Sequence, residues 1–335
     1  MGAEVGLMYE EILPGLYRIE IPLPRNPLKS LNSYLVKAPG RSLLIDTGMN
    51  REECLQAMSA SLDELRVDLN RTDLFVTHLH ADHLGLAARL ATAASKVYIS
   101  RKDAAIIADE SSRGEWYWED YYQIYCANGF PEDEARQSLD GHPGRRYGLL
   151  GWQPDFCIVV EGDTLDCGGY RFRCLATPGH TPGHMCLYEA DKKILVSGDH
   201  ILFDITPNIT SWPEVSDSLG DYLASLDKVY DLEVGLVLPS HRRLMPGHRQ
   251  RIEELKEHHR DRANEMLSAL AGGARTAFQV AAYITWDIDC SSFELFPPVQ
   301  KWFATGETIA HLRYLEVAKK VRSEIRGGRI LFSLA

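Results

Sequence analysis

The sequence predicts an α/β fold with an added C-terminal helical unit, and three features of its hydrophobic pattern support this. A short apolar run at 42–46 is followed by apolar residues at helical spacing over 51–66 and then by a second buried run at 74–77. Strand, helix and strand in this order are typical of an α/β layer. After His248 the pattern becomes helical over long stretches. We therefore expect a larger α/β domain over residues 1–250 and a smaller unit over residues 251–335.

The individual elements follow from periodicity and turn residues, taken in chain order. Residues 17–36 alternate apolar and polar side chains around a proline-rich kink, which predicts strands. Five later apolar runs lie between Gly, Asp and Pro turns and predict a second α/β half: Phe156 to Val160, Tyr170 to Ala176, Met185 to Tyr188, Ile194 to Ser197 and Val234 to Leu238. Helices are predicted at 252–270, 276–284 and 307–321, and residues 327–332 predict a closing hairpin strand.

A long insertion at about residues 104–151 interrupts this pattern and is rich in aromatic side chains. One interpretation is a cap over the active site, because aromatic side chains form good walls for an apolar pocket. The other is a helical hairpin that packs against the body or against a second copy of the chain, so a homodimer stays open. The aromatic residues concerned are Trp116, Tyr117, Trp118, Tyr121, Tyr122 and Tyr125, with Trp152 just beyond.

Composition narrows the class of partner. The chain is 45% hydrophobic and 25% charged, as in ordinary globular proteins, and its formal net charge is −11. Nucleic-acid binding needs concentrated Lys and Arg, so a small-molecule substrate is favoured over RNA, although the tail after Arg251 is slightly basic. No apolar run is long enough to cross a membrane and no basic leader is visible, which predicts a cytoplasmic protein without a membrane partner. The seven scattered cysteines predict free thiols.

Four motifs carry the chemistry. The first, His78-Leu79-His80-Ala81-Asp82-His83, directly follows a predicted strand, at the kind of edge where α/β folds place their sites. Imidazole and carboxylate are the ligands that zinc prefers, whereas the alternative interpretation is a group of surface histidines near a turn. Three further predicted strands end in the same residue types, at 177–184 (TPGHTPGH), 197–200 (SGDH) and 239–241 (PSH). The sequence therefore predicts a metal centre.

These motifs, in this order behind LLIDTG at 43–48, resemble the five ordered motifs of the metallo-β-lactamase superfamily over about residues 10–250. The resemblance implies an αββα sandwich with the metals at one edge. It also implies a ligand set, which we transfer position by position: His78, His80 and His180 on a first metal, Asp82, His83 and His241 on a second, and Asp199 bridging both. Asp46 matches the aspartate that orients the ligand loop, His184 is assigned to support, and His200 is left open.

The same resemblance implies a hydrolase that uses two divalent ions, with zinc as the default and iron or manganese as alternatives. A hydroxide shared by the ions would attack an acyl or phosphoryl centre, because water bound to a metal loses its proton near neutral pH. Asp82 or Asp199 would hold this water and relay a proton. The expected substrate is an ester, a thioester or a lactone. Candidate pocket residues are Asn208, which follows the Asp199 strand closely, and Tyr117, Trp118 and Tyr121 of the insertion.

A narrower resemblance leaves two other functions open. The segment GDHILFDITPNITSWPE and a tail whose residues 307–316 look like a winged-helix recognition segment are similar to the group of glyoxalase II-like hydrolases and an endoribonuclease. A metal-dependent endoribonuclease is one alternative, and a winged helix that packs on the core is favoured over one that binds RNA. The second alternative is an oxygenase of the persulfide dioxygenase type with one iron, which the second ligand set disfavours. His248, His258 and His259 lie in a polar helical context and are predicted to be solvated.

Overall fold

The computed structural model describes residues 8–148 and 155–335, so Trp152 and the predicted end of the insertion at 151 lie outside the described residues. Two β-sheets form the centre of the described part. The first has seven strands in chain order: β1 (Tyr9–Leu13), β2 (Leu16–Pro22), β3 (Ser30–Val36), β4 (Ser42–Ile45), β5 (Thr72–Phe75), β6 (Val97–Ser100) and β7 (Cys157–Val159). The second has five: β8 (Thr164–Cys167), β9 (Tyr170–Ala176), β10 (Met185–Glu189), β11 (Ile194–Gly198) and β12 (Leu236–Pro239).

Strand direction decides where the motif loops meet. Strands β4 to β7 are parallel, so the segments that follow β4, β5 and β6 leave the first sheet at one edge. In the second sheet β10 is antiparallel to both β9 and β11, and β11 is parallel to β12. The segments after β9, β11 and β12 therefore also leave at a common edge. Every predicted motif follows one of these six strands.

The helices lie outside the two sheets. Those before residue 249 are α1 (Glu52–Glu64), α2 (Ala81–Leu84), α3 (Ala87–Leu90), α4 (Arg101–Arg113), α5 (Glu115–Ala127), α6 (Glu132–Gly141), α7 (Pro143–Tyr147) and α8 (Ser218–Tyr230). Apolar residues of both sheets pack face to face in one cluster, while α1 and α3 cover the outer face of the first sheet and α8 that of the second. The result is the predicted αββα sandwich.

Strand β9 illustrates how the sequence specifies this packing. Tyr170, Phe172 and Cys174 are buried between the sheets, whereas Arg171 and Arg173 alternate with them on the exposed face. This period of two is that of a strand with one buried face. Phe172 is fully buried, and its replacement by Ala would lower the free energy of unfolding by about 3–5 kcal/mol.

The insertion lies between β6 and β7 and is formed by α4 to α7. Helix α4 begins at Arg101, three residues before the predicted start at 104. Tyr125 of α5 stacks on Trp302 of the C-terminal unit, with ring centroids 3.5 Å apart and planes inclined by 4°. The insertion thus packs against the body, as one of the two interpretations held. Tyr117 and Tyr121, in contrast, face the candidate site described below.

The C-terminal unit consists of α9 (Arg249–Leu270), α10 (Ala277–Ala281), α11 (Pro298–Val317) and a hairpin of β13 (Val321–Arg326) and β14 (Arg329–Leu334). Helix α9 begins at Arg249, so the predicted boundary at 250 falls in its first turn. The predicted helix at 307–321 was wrong at both ends, because α11 begins at Pro298 and Val321 starts a strand. Residues 307–312 are buried, since α11 is enclosed by α8, α9, α10 and the insertion.

The prediction that His248 and His259 are solvated was wrong. His248 is 4% exposed and its Nε2 donates to the carbonyl of Val229, while His259 is 2% exposed and contacts His311. The polar pattern of α9 suggests one buried face, but α8 and α11 cover the helix from two directions. Its polar residues are therefore partly internal.

Two further sequence expectations concern membrane-spanning helices and the cysteines. Among the residues that the structure describes, no helix combines the length and the apolar character needed to cross a membrane. All seven cysteines are free, as predicted, although Cys290 is exposed and only Cys54, Cys174 and Cys186 are fully buried.

Candidate metal centre

The seven predicted ligands come together where the two sheets meet. They form three groups within which the candidate ligand atoms lie within 4.8 Å of one another: His78, His80 and His180; His78, His83 and Asp199; and Asp82, His83 and His241. All except His80 are buried. The arrangement follows from the strand directions, because each motif leaves its strand at this edge.

The first group is built from the loop after β5 and the loop after β9. His78 Nε2 lies 3.0 Å from His80 Nδ1, and the His180 ring stands edge-on to both rings at centroid distances of 4.8 and 4.6 Å. His180 Nδ1 lies 2.8 Å from the carbonyl oxygen of Asn208. A carbonyl only accepts, so Nδ1 carries the proton and Nε2 keeps its lone pair for a ligand.

Asp82, His83 and His241 form what is called the second group from here on. Asp82 Oδ2 lies 3.4 Å from His241 Nε2 and 3.8 Å from His83 Nε2. His241 Nδ1 donates to the carbonyl of Ser30 at 2.7 Å, and His83 Nδ1 lies 2.7 Å from Asp46 Oδ2. Both histidines are therefore held by their Nδ1 atoms and present Nε2 to the site.

Asp199 lies between the two groups. Its Oδ2 is 3.5 Å from His180 Nε2 and 3.7 Å from His83 Nε2, and its Oδ1 is 3.5 Å from His241 Nε2. One carboxylate thus reaches histidines of both groups. This is the position that a bridging ligand requires.

Within the part of the chain that the structure describes, four buried polar atoms of this cluster have no hydrogen-bond partner: His83 Nε2, His180 Nε2, His241 Nε2 and Asp199 Oδ1. An unsatisfied buried polar atom costs about 1–3 kcal/mol, so four of them converging on one space need an explanation. Imidazole nitrogen and carboxylate oxygen form the donor set of zinc and related divalent ions. The residues present therefore fit a divalent metal.

Most of the candidate ligands have the protonation states that metal binding requires. Burial lowers the pKa of His78 and His180, and lowers that of His80 to about 3, so these imidazoles are neutral at pH 7. Burial raises the pKa of Asp82, but His83 and His241 outweigh it and bring the value to about 2. Neutral imidazoles and ionised carboxylates are the states that bind metals.

His83 and His241 differ from the other imidazoles. Burial lowers their pKa, but the pKa of both histidines is raised because nearby carboxylates outweigh burial: Asp46, Asp199 and Asp82 for His83, and Asp199 and Asp82 for His241. In the metal-free chain, protonated imidazole at these two positions is stabilised by the surrounding carboxylates. A metal ion must therefore displace protons there.

Asp46 joins three segments around the site through its side-chain contacts. It follows β4, is 1% exposed, and accepts hydrogen bonds from the backbone N–H and the hydroxyl of Thr77, at 2.8 and 2.9 Å. It also accepts from the hydroxyl of Ser240 at 3.1 Å and contacts His83. The structure thus places Asp46 behind the ligands, where it can fix the ring of His83.

His184 supports Asp199 from behind. Its Nδ1 lies 2.8 Å from Thr177 Oγ1, and its Nε2 accepts from the backbone N–H of Asp199 at 3.2 Å. Gly198, with φ of +53°, leaves no room for a Cβ because His184 would overlap it. His200, left open by the sequence, lies farther away, with its ring between those of His184 and Tyr222.

Asp103 is a functional residue that sequence reasoning missed. Its carboxylate accepts from the backbone N–H groups of Leu79 and Gly183 and from the hydroxyl of Thr181, at 2.7–2.9 Å. Burial raises the pKa of Asp103 to about 6. It therefore ties the two loops that carry the first group. The sequence did contain a signal for the place of Asp103 at the start of α4. The Ser100 side chain accepts from the N–H of Asp103, and a Ser-x-x-acid pattern after a strand is typical of a helix start.

An aromatic wall lies beside the first group. Trp212, also missed, stacks on the His80 ring at 6.1 Å and donates from Nε1 to the carbonyl of His180. Tyr117 and Tyr121 join Trp212 in one apolar cluster, and their hydroxyls lie 3.3 Å apart. Trp118 packs at its edge. The predicted pocket residues of the insertion are therefore near the site.

Asn208 lies beside the candidate site, as predicted from its place in the chain, but its side chain is engaged with another element. Its carbonyl holds His180, as described above, but its side-chain amide donates to Glu307 Oε2 at 2.9 Å. The amide is therefore engaged with α11, and the role predicted for Asn208 as a residue that lines the pocket stays a prediction. Its position in the chain predicted that Asn208 lies near the site, but it did not predict the direction of the side chain.

Comparison with known proteins extends these observations. A family model described as Metallo-beta-lactamase superfamily matches residues 27–241. The probable metallo-hydrolase YqjP of Bacillus subtilis is 26% identical over 315 residues, or 89% of this chain and 92% of that protein. The acyl-coenzyme A thioesterase MBLAC2 of Homo sapiens is 26% identical over 224 residues, or 65% of this chain and 72% of that protein.

Among solved structures, a metallo-beta-lactamase family protein of Thermus thermophilus superposes with a TM-score of 0.82 at 29% identity, covering 97% of this chain and 100% of that chain. A beta-lactamase domain protein of Burkholderia ambifaria superposes with a TM-score of 0.77 at 25% identity, covering 98% of this chain and 95% of that chain. The similarity thus continues beyond residue 241 into the C-terminal unit.

Proposed function

Because the chain belongs to the metallo-beta-lactamase superfamily, we propose that it is a hydrolase that binds two divalent metal ions, zinc by preference, and cleaves an ester, thioester or lactone. The observation that carries this proposal is the convergence of four unpartnered buried donor atoms on one space. His78, His80 and His180 would hold one ion, and Asp82, His83 and His241 the other, with Asp199 shared between them. The relationship to a probable metallo-hydrolase supports the same class of reaction.

When bound, the ions would supply a nucleophilic water that is ionised near neutral pH and a Lewis acid for the substrate carbonyl. The chain's own part is to hold the donors and to move a proton. Asp82 has a low pKa and an oxygen that faces the site beside His241, so it would orient the attacking water and accept its hydrogen bond. His184 fixes the backbone of Asp199 and so fixes its carboxylate.

A thioester with an apolar acyl group is the substrate that we favour within this class. The wall of Tyr117, Tyr121 and Trp212 stands next to His80, where it would contact the acyl group and keep water away from the carbonyl. The human relative named as an acyl-coenzyme A thioesterase supports this choice. RNA cleavage draws no support from the tail, because the segment at 307–312 is buried and offers no face to a nucleic acid.

The test is metal content measured together with turnover. Protein purified without chelator or affinity tag would be analysed for metal per chain and assayed on thioester, lactone and RNA substrates. We expect about two ions per chain and thioester hydrolysis that His180→Ala abolishes. One iron per chain with oxygen consumption, or RNA cleavage alone, would refute the proposal.

A further inference from the structure

The irregular 204–212 loop, which lies between β11 and α8, touches the first ligand group at three points. The carbonyl of Asn208 accepts from His180 Nδ1, Trp212 Nε1 donates to the carbonyl of His180, and the Trp212 ring stacks on His80. The loop contains no helix or strand, so its own backbone hydrogen bonds do not fix its position. Something else must hold it.

Helix α11 provides that support. Glu307 Oε2 accepts from the side-chain amide of Asn208 at 2.9 Å, and the carbonyl of Gly306 accepts from the N–H of Ser211 at 3.3 Å. Gly306 also sits so close to the loop that a Cβ would overlap the hydroxyls of Thr210 and Tyr125. The loop is therefore docked on one turn of α11 through polar contacts and close backbone approach.

Glu307 is itself fixed from the opposite side. Its Oε1 accepts from Arg262 Nη1 of α9 at 2.9 Å, and Arg262 Nη2 donates to the carbonyl of Thr285 at 3.1 Å. Both members of this ion pair are buried, with Glu307 7% and Arg262 8% exposed. A buried pair with satisfied hydrogen bonds has a defined geometry, and removing one partner disturbs the other.

We propose that Glu307 and Gly306 are positioning residues for His180, so that the C-terminal unit is a working part of the metal centre. This inference rests on the proposed role of His180 as a metal ligand. The orientation and basicity of a ligating imidazole depend on the hydrogen bond that its other nitrogen makes. That bond is made here by the Asn208 carbonyl, and α11 sets the position of the carbonyl.

Two substitutions disturb this support by different means. In Glu307→Gln one carboxylate oxygen becomes an amide NH₂. The side chain then keeps a single acceptor oxygen, which cannot serve both the Asn208 amide and the Arg262 guanidinium in the present arrangement. Gly306→Ala adds only a methyl group, at a helical position where Ala is otherwise favoured by about 1 kcal/mol, and this methyl pushes against Thr210. Matched controls are Glu134→Gln, whose carboxylate pairs with Lys301 of the same helix, and Gly141→Ala, at a site with open space.

The experiment measures binding of Zn²⁺ alone to the full-length chain, by competition with a chelator, together with the melting temperature of the metal-free protein. We expect both Glu307→Gln and Gly306→Ala to weaken one of the two zinc sites by about tenfold, while both controls stay close to the original chain. Wild-type affinity at both sites in both variants would overturn the inference. If the original chain binds no zinc at all, the proposed function fails and the inference falls with it.

A paired substitution gives a sharper readout. Combining Asn208→Asp with Glu307→Gln reverses the hydrogen bond: the new carboxylate at 208 accepts from the new amide at 307, whose oxygen still accepts from Arg262. We expect zinc affinity in this double variant to recover most of the tenfold loss of Glu307→Gln. Affinity that stays as low as in the single variant would argue against a positional role.

Discussion

Asp46 Oδ2 lies 2.7 Å from His83 Nδ1, and the same carboxylate accepts hydrogen bonds from Thr77 and Ser240. One side chain behind the ligands therefore joins the segments that follow β4, β5 and β12. Because His83 presents Nε2 to the site only while Nδ1 is held, the carboxylate of Asp46 controls the direction of a ligand.

Replacing Asp46 tests this control. Asp46 has φ of +59°, a conformation that Asn tolerates better than Ala, so Asp46→Asn changes the carboxylate with little backbone strain. We expect at least about tenfold weaker zinc binding at the site of His83 and a loss of about 1–3 kcal/mol in the free energy of unfolding. Chelator competition and urea denaturation measure the two effects. Asp166→Asn, on the exposed side of β8, is the control; unchanged zinc binding in Asp46→Asn would contradict the prediction.

The two ligand groups should respond differently to acid. The raised pKa of His83 and His241 means that protons compete with metal at these positions from a higher pH than at an ordinary histidine. Burial lowers the pKa of His78, His80 and His180, so these imidazoles stay neutral to a lower pH than an ordinary histidine. As the pH falls from 8 to 5, we therefore expect the site of His83 and His241 to lose zinc first, by about tenfold in affinity per pH unit for each displaced proton. Zinc titrations at several pH values would show this, and parallel weakening of both sites would refute it.

Asp103 should matter for stability as well as for the site. In Asp103→Ala, three donors of the candidate ligand loops lose their acceptor: the buried donors of Thr181 and Gly183 and the partly buried N–H of Leu79. We expect the metal-free protein to lose at least about 2–3 kcal/mol of unfolding free energy, measured by denaturant titration. The control is Asp109→Ala on the same helix, whose carboxylate pairs with Arg113 near the surface. Equal stability of the two variants would show that the loops are held by other contacts.

The aromatic wall makes a prediction about substrate choice. Tyr121→Ala removes a large apolar surface beside the first group, whereas Tyr121→Phe removes only the hydroxyl that contacts Tyr117. On a thioester with a long acyl chain, we expect Tyr121→Ala to lower kcat/KM by about tenfold to a hundredfold and Tyr121→Phe to have a small effect. An acetyl thioester should be affected much less by either change. Steady-state kinetics on the two substrates would test this, and equal losses on both would exclude an acyl-binding wall.

The convergence of the candidate ligands could be predicted from sequence because each of them follows a short apolar strand and stands in a motif of fixed order. His78 and Asp199 are examples, since a strand end determines where such a residue emerges. Asp103 and Trp212 could not be found in this way, because their importance comes from contacts made across the fold by residues of common type. The buried His259 shows the same limit: its neighbours belong to α8 and α11, and no local pattern encodes their approach.

The bond between Ser240 and Asp46 joins residues 194 positions apart in the chain. During synthesis the HxHxDH segment therefore emerges long before the strand that completes its surroundings. Bringing together residues so far apart in the chain carries a larger loop-closure entropy than a local contact does. His241 arrives with the same final strand. The full candidate donor set is therefore complete only once residue 241 has been synthesised, and a chain interrupted before it would leave the ribosome without the last of these donors.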